Sequence, residues 1–228
     1  MARRMVSLTL DNIDDLALRC RTCVFWELDP VAGRRAIEAG DPGLEKEAWL
    51  SAVLLDWGSC GRLAYVDKAA AGYVLYAPPT HVPRSVAFPT SPVSADAVLL
   101  ITAQILPEFR GGGLGRMLVQ TVAKDLIKRG GIRAIEAFGL AEGADPPQEA
   151  PERGESGHCV VPADYLTAVG FKTIRPHPRF PRLRLELRNA LTWREDVEVA
   201  LERLLGSIRP EPVRAGPLRH RVPEGTRV

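Results

Sequence analysis

The chain has 228 residues, 46% of them hydrophobic and 25% charged, with a formal net charge of +2. That is enough apolar content for one good core, and too even a charge balance to mark a nucleic-acid or membrane-surface binder. No apolar run reaches the ~18 residues of a membrane span, and Met1-Ala2-Arg3-Arg4 leads into a strand pattern, not a signal-peptide core, so a cytoplasmic protein is expected.

In chain order, Val6–Leu10 reads as a first strand, with Asp11–Leu16 opening helical segments after it. Arg62–Val66 and Ala71–Tyr76 are β-rich runs joined by the polar pair Asp67-Lys68, the pattern of a hairpin. Ala77 to Ala95 holds five prolines and reads as a long connection near the substrate side. Ala97–Leu106 is rich in branched apolar residues and ends at Pro107, which suits a buried strand. Leu114, Leu118, Val122 and Leu126 then recur every four residues until Gly130-Gly131 stops the helix. Ile132–Phe138 alternates as a strand, Leu140–Gly157 is acidic and rich in Gly and Pro, and Asp164–Val169 reads as a helix stopped by Gly170, with Phe171 starting the next strand. Arg182–Arg188 alternates cleanly and closes the sheet, and Trp193–Leu205 reads as a final amphipathic helix. The expected organisation is one domain over residues 1–208 with a basic, flexible tail over 209–228.

Between the Ala97–Leu106 strand and the following helix stands Arg110-Gly111-Gly112-Gly113-Leu114-Gly115-Arg116. A helix start offers unpaired N–H groups and a positive dipole end, and glycines remove the side chains that would hold an anion away, so the run reads as a pyrophosphate cradle. The P-loop requires Lys-Ser or Lys-Thr after its last glycine, and here Gly115 is followed by Arg116-Met117. The dinucleotide spacing G-x-G-x-x-G is not supplied either. The spacing that fits is Arg-x-x-Gly-x-Gly on Arg110, Gly113 and Gly115, preceded by Ile105-x-Pro107. With Gly170-Phe171 downstream, the chain resembles the GNAT N-acetyltransferase family over roughly residues 5 to 190.

The resemblance implies an α/β (α+β) fold: a mixed, mostly antiparallel sheet of about six to seven strands flanked by helices, here with an extra C-terminal helix. It implies acetyl-CoA or another short acyl-CoA as donor, attacked directly by the primary amine of a small-molecule or protein acceptor. The backbone amides of Gly111, Gly112, Gly113, Leu114, Gly115 and Arg116 would hold the pyrophosphate, with Arg110 shaping or charging the loop, and the Ile105 N–H would polarise the thioester carbonyl. Many members place a tyrosine four residues before the Gly-Phe glycine. That position is Leu166 here, and Tyr165 is turned about 100° from it on a helix, so a proton-donor reading of Tyr165 stands beside that of a core or rim aromatic.

Cys159, next to His158, occupies a position where many members contact pantetheine. It could donate a proton or accept an acyl group, or simply fill a gap in the core. Asp96, before the cofactor strand, is a candidate general base, and Glu108 and Glu27 read more readily as solvated. Cys20-Arg21-Thr22-Cys23 raises a zinc or redox reading whose other ligands would have to come from Cys60, His158 or Cys159, but two packed cysteines account for the motif without a metal, and no metal is expected. Trp26, Trp49 and Trp57 could line an acceptor cleft or sit in the core. No nucleic-acid or membrane partner is indicated, and exposed sheet edges leave room for a homodimer. The expected function is acyl-CoA-dependent N-acyl transfer; the alternative is an acyl-CoA-binding regulatory or interaction module on the same fold with little catalysis.

Overall fold

The computed structural model describes residues 2–147, 159–188 and 190, and residues 1–192 form one compact unit. The expected helix at Trp193–Leu205 and tail at 209–228 lie outside the described residues, as does most of the Gly/Pro-rich stretch after Leu140.

Eight strands form one sheet among the described residues: β1 (Arg3–Ser7), β2 (Gly61–Val66), β3 (Ala69–Ala77), β4 (Ala97–Ile105), β5 (Ala134–Leu140), β6 (Val161–Pro162), β7 (Lys172–Arg175) and β8 (Arg182–Glu186). Their order is β1-β2-β3-β4-β5-β8-β7, with the two-residue β6 beside β5. The β4–β5 and β5–β6 pairings are parallel and the others antiparallel, so the sheet is mixed and mostly antiparallel. The first strand begins three residues earlier than expected and runs into a 3-10 segment, Leu10–Asp15. There Asn12 accepts from the Thr9 N–H at 2.8 Å and donates to the Ser7 carbonyl at 3.0 Å, which turns the chain off the sheet edge.

Among the described residues the sheet is flanked by α1 (Leu18–Arg21), α2 (Pro30–Ala39), α3 (Pro42–Asp56), α4 (Leu114–Arg129) and α5 (Ala163–Ala168). Both α2 and α3 start on an Asp-Pro pair. The Asp29 and Asp41 carboxylates accept first-turn N–H groups, and proline fills N1 at no hydrogen-bond cost. One sheet face packs Leu63, Leu75, Leu99, Ile101 and Phe138 against Leu16, Trp26, Leu50 and Val53. On the other face α4 buries Leu114, Leu118, Val122 and Leu126, the expected stripe. It is also tied to the sheet by Asp125, which accepts from Arg62 Nε at 2.6 Å and from the Tyr76 hydroxyl at 3.0 Å.

The strand that matters for the site is β4. It pairs with β3 from Ala77↔Leu99 to Gly72↔Ile105, with a register shift that leaves Ile101 bulged. Its pairing with β5 covers only Ala97↔Ala134 to Leu99↔Glu136. Beyond Leu99 the two parallel strands part, and the gap opens toward the glycine run.

Candidate functional site

The gap between β4 and β5 continues into a cleft of about 660 Å³ whose lining includes Gln104, Ile105, Arg110, Gly113, Gly115 and Tyr165. Its two walls are the end of β4 and the start of α4 with the length of α5.

The backbone of the glycine run shapes the floor. Gly111 and Gly113 have φ of +78° and +76°, and a Cβ built on either would meet no heavy atom within 4 Å. The open space lies at the start of a 16-residue helix whose N-cap, Gly113, provides no side-chain cap. The first-turn N–H groups of α4 are therefore left to a ligand, and an anion is what they stabilise. The residues present fit a pyrophosphate-bearing group. Around the floor, Arg3 donates to the Gly112 carbonyl at 2.7 Å, Arg110 Nε to the Ile105 carbonyl at 3.2 Å, and Arg116 to the Ala168 carbonyl at 3.1 Å. These bonds hold the loop to β1, β4 and α5 while bringing three guanidinium charges to its rim.

Strand alternation fixes where the Ile105 amide points. The Leu106 N–H bonds the Ala71 carbonyl of β3 at 2.9 Å, so the preceding N–H, on Ile105, faces the opposite edge, into the β4–β5 gap. The Ile105 carbonyl, on that same edge, is the one Arg110 takes. Gly72 permits this packing, because a Cβ there would stand 2.5 Å from the Gln104 carbonyl and 2.6 Å from Ile105 Cδ1.

Tyr165 enters the cleft, and Leu166 points into the core, fully buried. The one-residue offset thus puts a tyrosine in the cleft from the neighbouring helix position. Its ring covers Gly115 so closely that a Cβ there would lie 2.5 Å from the hydroxyl. Burial pushes the phenol up to about 12, so it stays protonated at neutral pH and can donate.

Asp96 is corrected. The nine residues of β4 put roughly 25–30 Å between it and Ile105, and its carboxylate is held by two bonds from Arg184, both 2.9 Å. Those bonds lower its pKa; it is a structural anion at the far end of the sheet, beside buried Glu136, which also takes Arg182 and Arg184. Glu108 is exposed, and Glu27 is not solvated but buried in an ion pair with Lys46. No carboxylate lines the cleft among the described residues.

The cysteines separate differently from the expected C-x-x-C unit. Cys20 Sγ reaches Gln104 Oε1 at 3.0 Å, an oxygen that also accepts from the Tyr73 hydroxyl at 3.1 Å. Cys23 Sγ instead meets Cys159 Sγ at 3.0 Å. Cys159 is fully buried and lies outside the cleft lining; its carbonyl accepts from Trp26 Nε1 at 3.1 Å. Trp26 is a core residue stacked on Phe88, with centroids 4.9 Å apart. His158 lies outside the described residues, and among the described residues no three His, Cys, Asp or Glu side chains converge as a metal site.

Sequence reading missed Gln104, Tyr73 and Arg3. Gln104 did carry a signal, as a polar side chain near the end of an otherwise apolar buried strand. Arg3 carried none, since only the fold brings β1 to the glycine loop.

Solved structures with the same fold include the loading GNATL domain of CurA from Lyngbya majuscula (12% identity, 83% of this chain and 100% of that one, TM-score 0.50) and an N-acetyltransferase from Staphylococcus aureus Mu50 (10%, 82% and 99%, TM-score 0.50). PaiA N-acetyltransferase from Thermoplasma acidophilum, in complex with coenzyme A, shares 12% identity over 82% of this chain and 99% of its own, with TM-score 0.49. No curated protein sequence matches the chain significantly. The model of the acetyltransferase (GNAT) family matches residues 33–149, from α2 through the glycine cradle and β5. The chain belongs to the GNAT acetyltransferase family, whose members use acetyl-CoA.

Proposed function

We propose that the protein transfers an acetyl or other short acyl group from acyl-CoA to a primary amine, by direct attack of the amine on the thioester. The observation that carries this reading is the side-chain-free floor at Gly111 and Gly113, open at the uncapped start of α4 and continuous with the gap where β4 leaves β5.

Acyl-CoA supplies an activated carbonyl; the chain supplies position and charge. The amides from Gly111 to Arg116 receive the pyrophosphate, with Arg110 and Arg116 at the rim. The Ile105 N–H, aimed into the gap, stabilises negative charge developing on the carbonyl oxygen. Tyr165, protonated at neutral pH, is the donor for the departing thiolate. No carboxylate among the described residues lines the cleft, and approximation of amine and thioester carries much of the rate.

Incubation with acetyl-CoA and a broad amine panel, read by mass spectrometry, tests the reaction. Acetylated amine and free coenzyme A in equal amounts are expected. Tight coenzyme A binding in calorimetry with no turnover on any amine would favour the interaction-module reading instead.

A further inference from the structure

On the sheet face opposite α4, four reactive or charged side chains from three parts of the chain, Cys23 with Glu27, Lys46 and Cys159, are packed together. Cys23 Sγ lies 3.0 Å from Cys159 Sγ, about 1 Å beyond the ~2.05 Å of a disulfide bond. Lys46 Nζ donates to the Cys23 carbonyl at 2.9 Å and is paired with Glu27. The surroundings distinguish the two thiols. Cys159 is sealed in the core, whereas Cys23 also lines a cavity of about 500 Å³ bounded by Thr22, Phe25, Leu28, Arg34 and Arg84. The cavity is bounded by Cys23 and not by Cys159, so an oxidant entering it would meet Cys23 first.

We propose that Cys23 and Cys159 form a reversible modification site for hydroperoxides, with Cys23 as the attacked thiol and Cys159 as the resolving one. The Cys23 thiolate attacks the terminal peroxide oxygen and breaks the O–O bond, forming Cys23–S–OH and releasing hydroxide from hydrogen peroxide, or alkoxide from an organic hydroperoxide, which is protonated to water or alcohol. The Cys159 thiol then displaces hydroxide from that sulfenic sulfur, closing the Cys23–Cys159 disulfide and releasing water. The two thiols lose two electrons and the peroxide gains them.

Electrostatics favour the order of attack. The Cys159 hydrogen bond, opposed by burial and assisted by the Lys46 charge, brings the Cys23 thiol down to about 7, while burial drives Cys60 up to about 12. The arrangement differs from a C-x-x-C redox pair, because Cys20 is turned away to Gln104. The disulfide would join the segment carrying α1, whose Cys20 touches the acyl end of the cleft, to the chain entering β6.

The test is stoichiometric treatment of the full chain with hydrogen peroxide, followed by intact mass and non-reducing tryptic mapping. Cleavage after Arg21 separates Cys20 from Cys23, so residues 22–34 linked to 154–172 report this pairing alone. The expected result is a mass loss of about 2 Da, that linked peptide, and its disappearance with dithiothreitol. Cys20→Ser should still cross-link, whereas Cys159→Ser should stop at sulfenic or sulfinic Cys23. A Cys20–Cys23 link, or oxygen addition to wild-type Cys23 without a cross-link, or unmodified thiols at millimolar peroxide, would overturn the proposal. None of these readouts depends on acyl transfer.

Discussion

The two faces of the sheet around the end of β4 are built by opposite means. On the α4 side the site is backbone and space: glycines without neighbours, uncapped N–H groups and one strand amide left without a β-partner. On the other side it is packed side chains: Cys23 on Cys159, Glu27 on Lys46, Trp26 on Phe88. The first can admit a ligand without rearrangement; the second cannot lose a member without leaving a buried charge or a void.

Replacing Lys46 tests that contrast with the largest expected effect. Burial acts most strongly and pushes its pKa down, but the Glu27 charge and hydrogen bond, together with the Cys23 and Cys159 thiols, hold it above the ordinary value. Lys46→Met leaves the Glu27 carboxylate buried without its cation, holding only the Trp26 N–H, and should cost about 3–5 kcal/mol in urea unfolding. The double variant Lys46→Met/Glu27→Leu should recover most of that loss. Equal destabilisation of the two variants would mean the cluster is held by shape instead of charge.

Within the cleft, Tyr165→Phe keeps the ring against Gly115 and removes only the hydroxyl. As a proton donor it should lower kcat by about tenfold or more while KM for acetyl-CoA stays nearly unchanged. Since the phenol is raised to about 12, wild-type kcat should not fall from loss of this proton below about pH 10. A fall near neutral pH that Tyr165→Phe abolishes would contradict the assignment. The smallest effect belongs to Asp96→Asn, which should leave kcat unchanged and cost less than about 1 kcal/mol, because its ion pair is partly solvated; loss of activity would return Asp96 to the chemistry.

The same contrast explains what was legible in the sequence. The cradle is contiguous: a strand, Pro107, the glycine run and a four-residue stripe state their geometry locally, and β4 and α4 begin where those signals place them. The thiol face is assembled from residues 23, 27, 46 and 159, so no window of sequence contains it. Its one local clue was Lys46, which shares the buried side of α3 with Leu50 and Val53, an apolar stripe broken by a charge that needs a partner. The C-x-x-C spacing pointed the other way, since adjacent turns of chain send Cys20 to Gln104 and Cys23 to Cys159. Helix phase counted from the family position does not settle which side chain meets the cleft, because α5 is only six residues long and its entry from β6 sets the side Tyr165 takes.

The account rests on the glycine floor being the seat of the pyrophosphate. Calorimetric titration of coenzyme A into wild type and Gly113→Glu tests it most directly, with circular dichroism to show that both are folded. The carboxylate should occupy and repel the pyrophosphate position, and affinity should fall by about 100-fold or more. Equal affinity in a folded variant would contradict the placement.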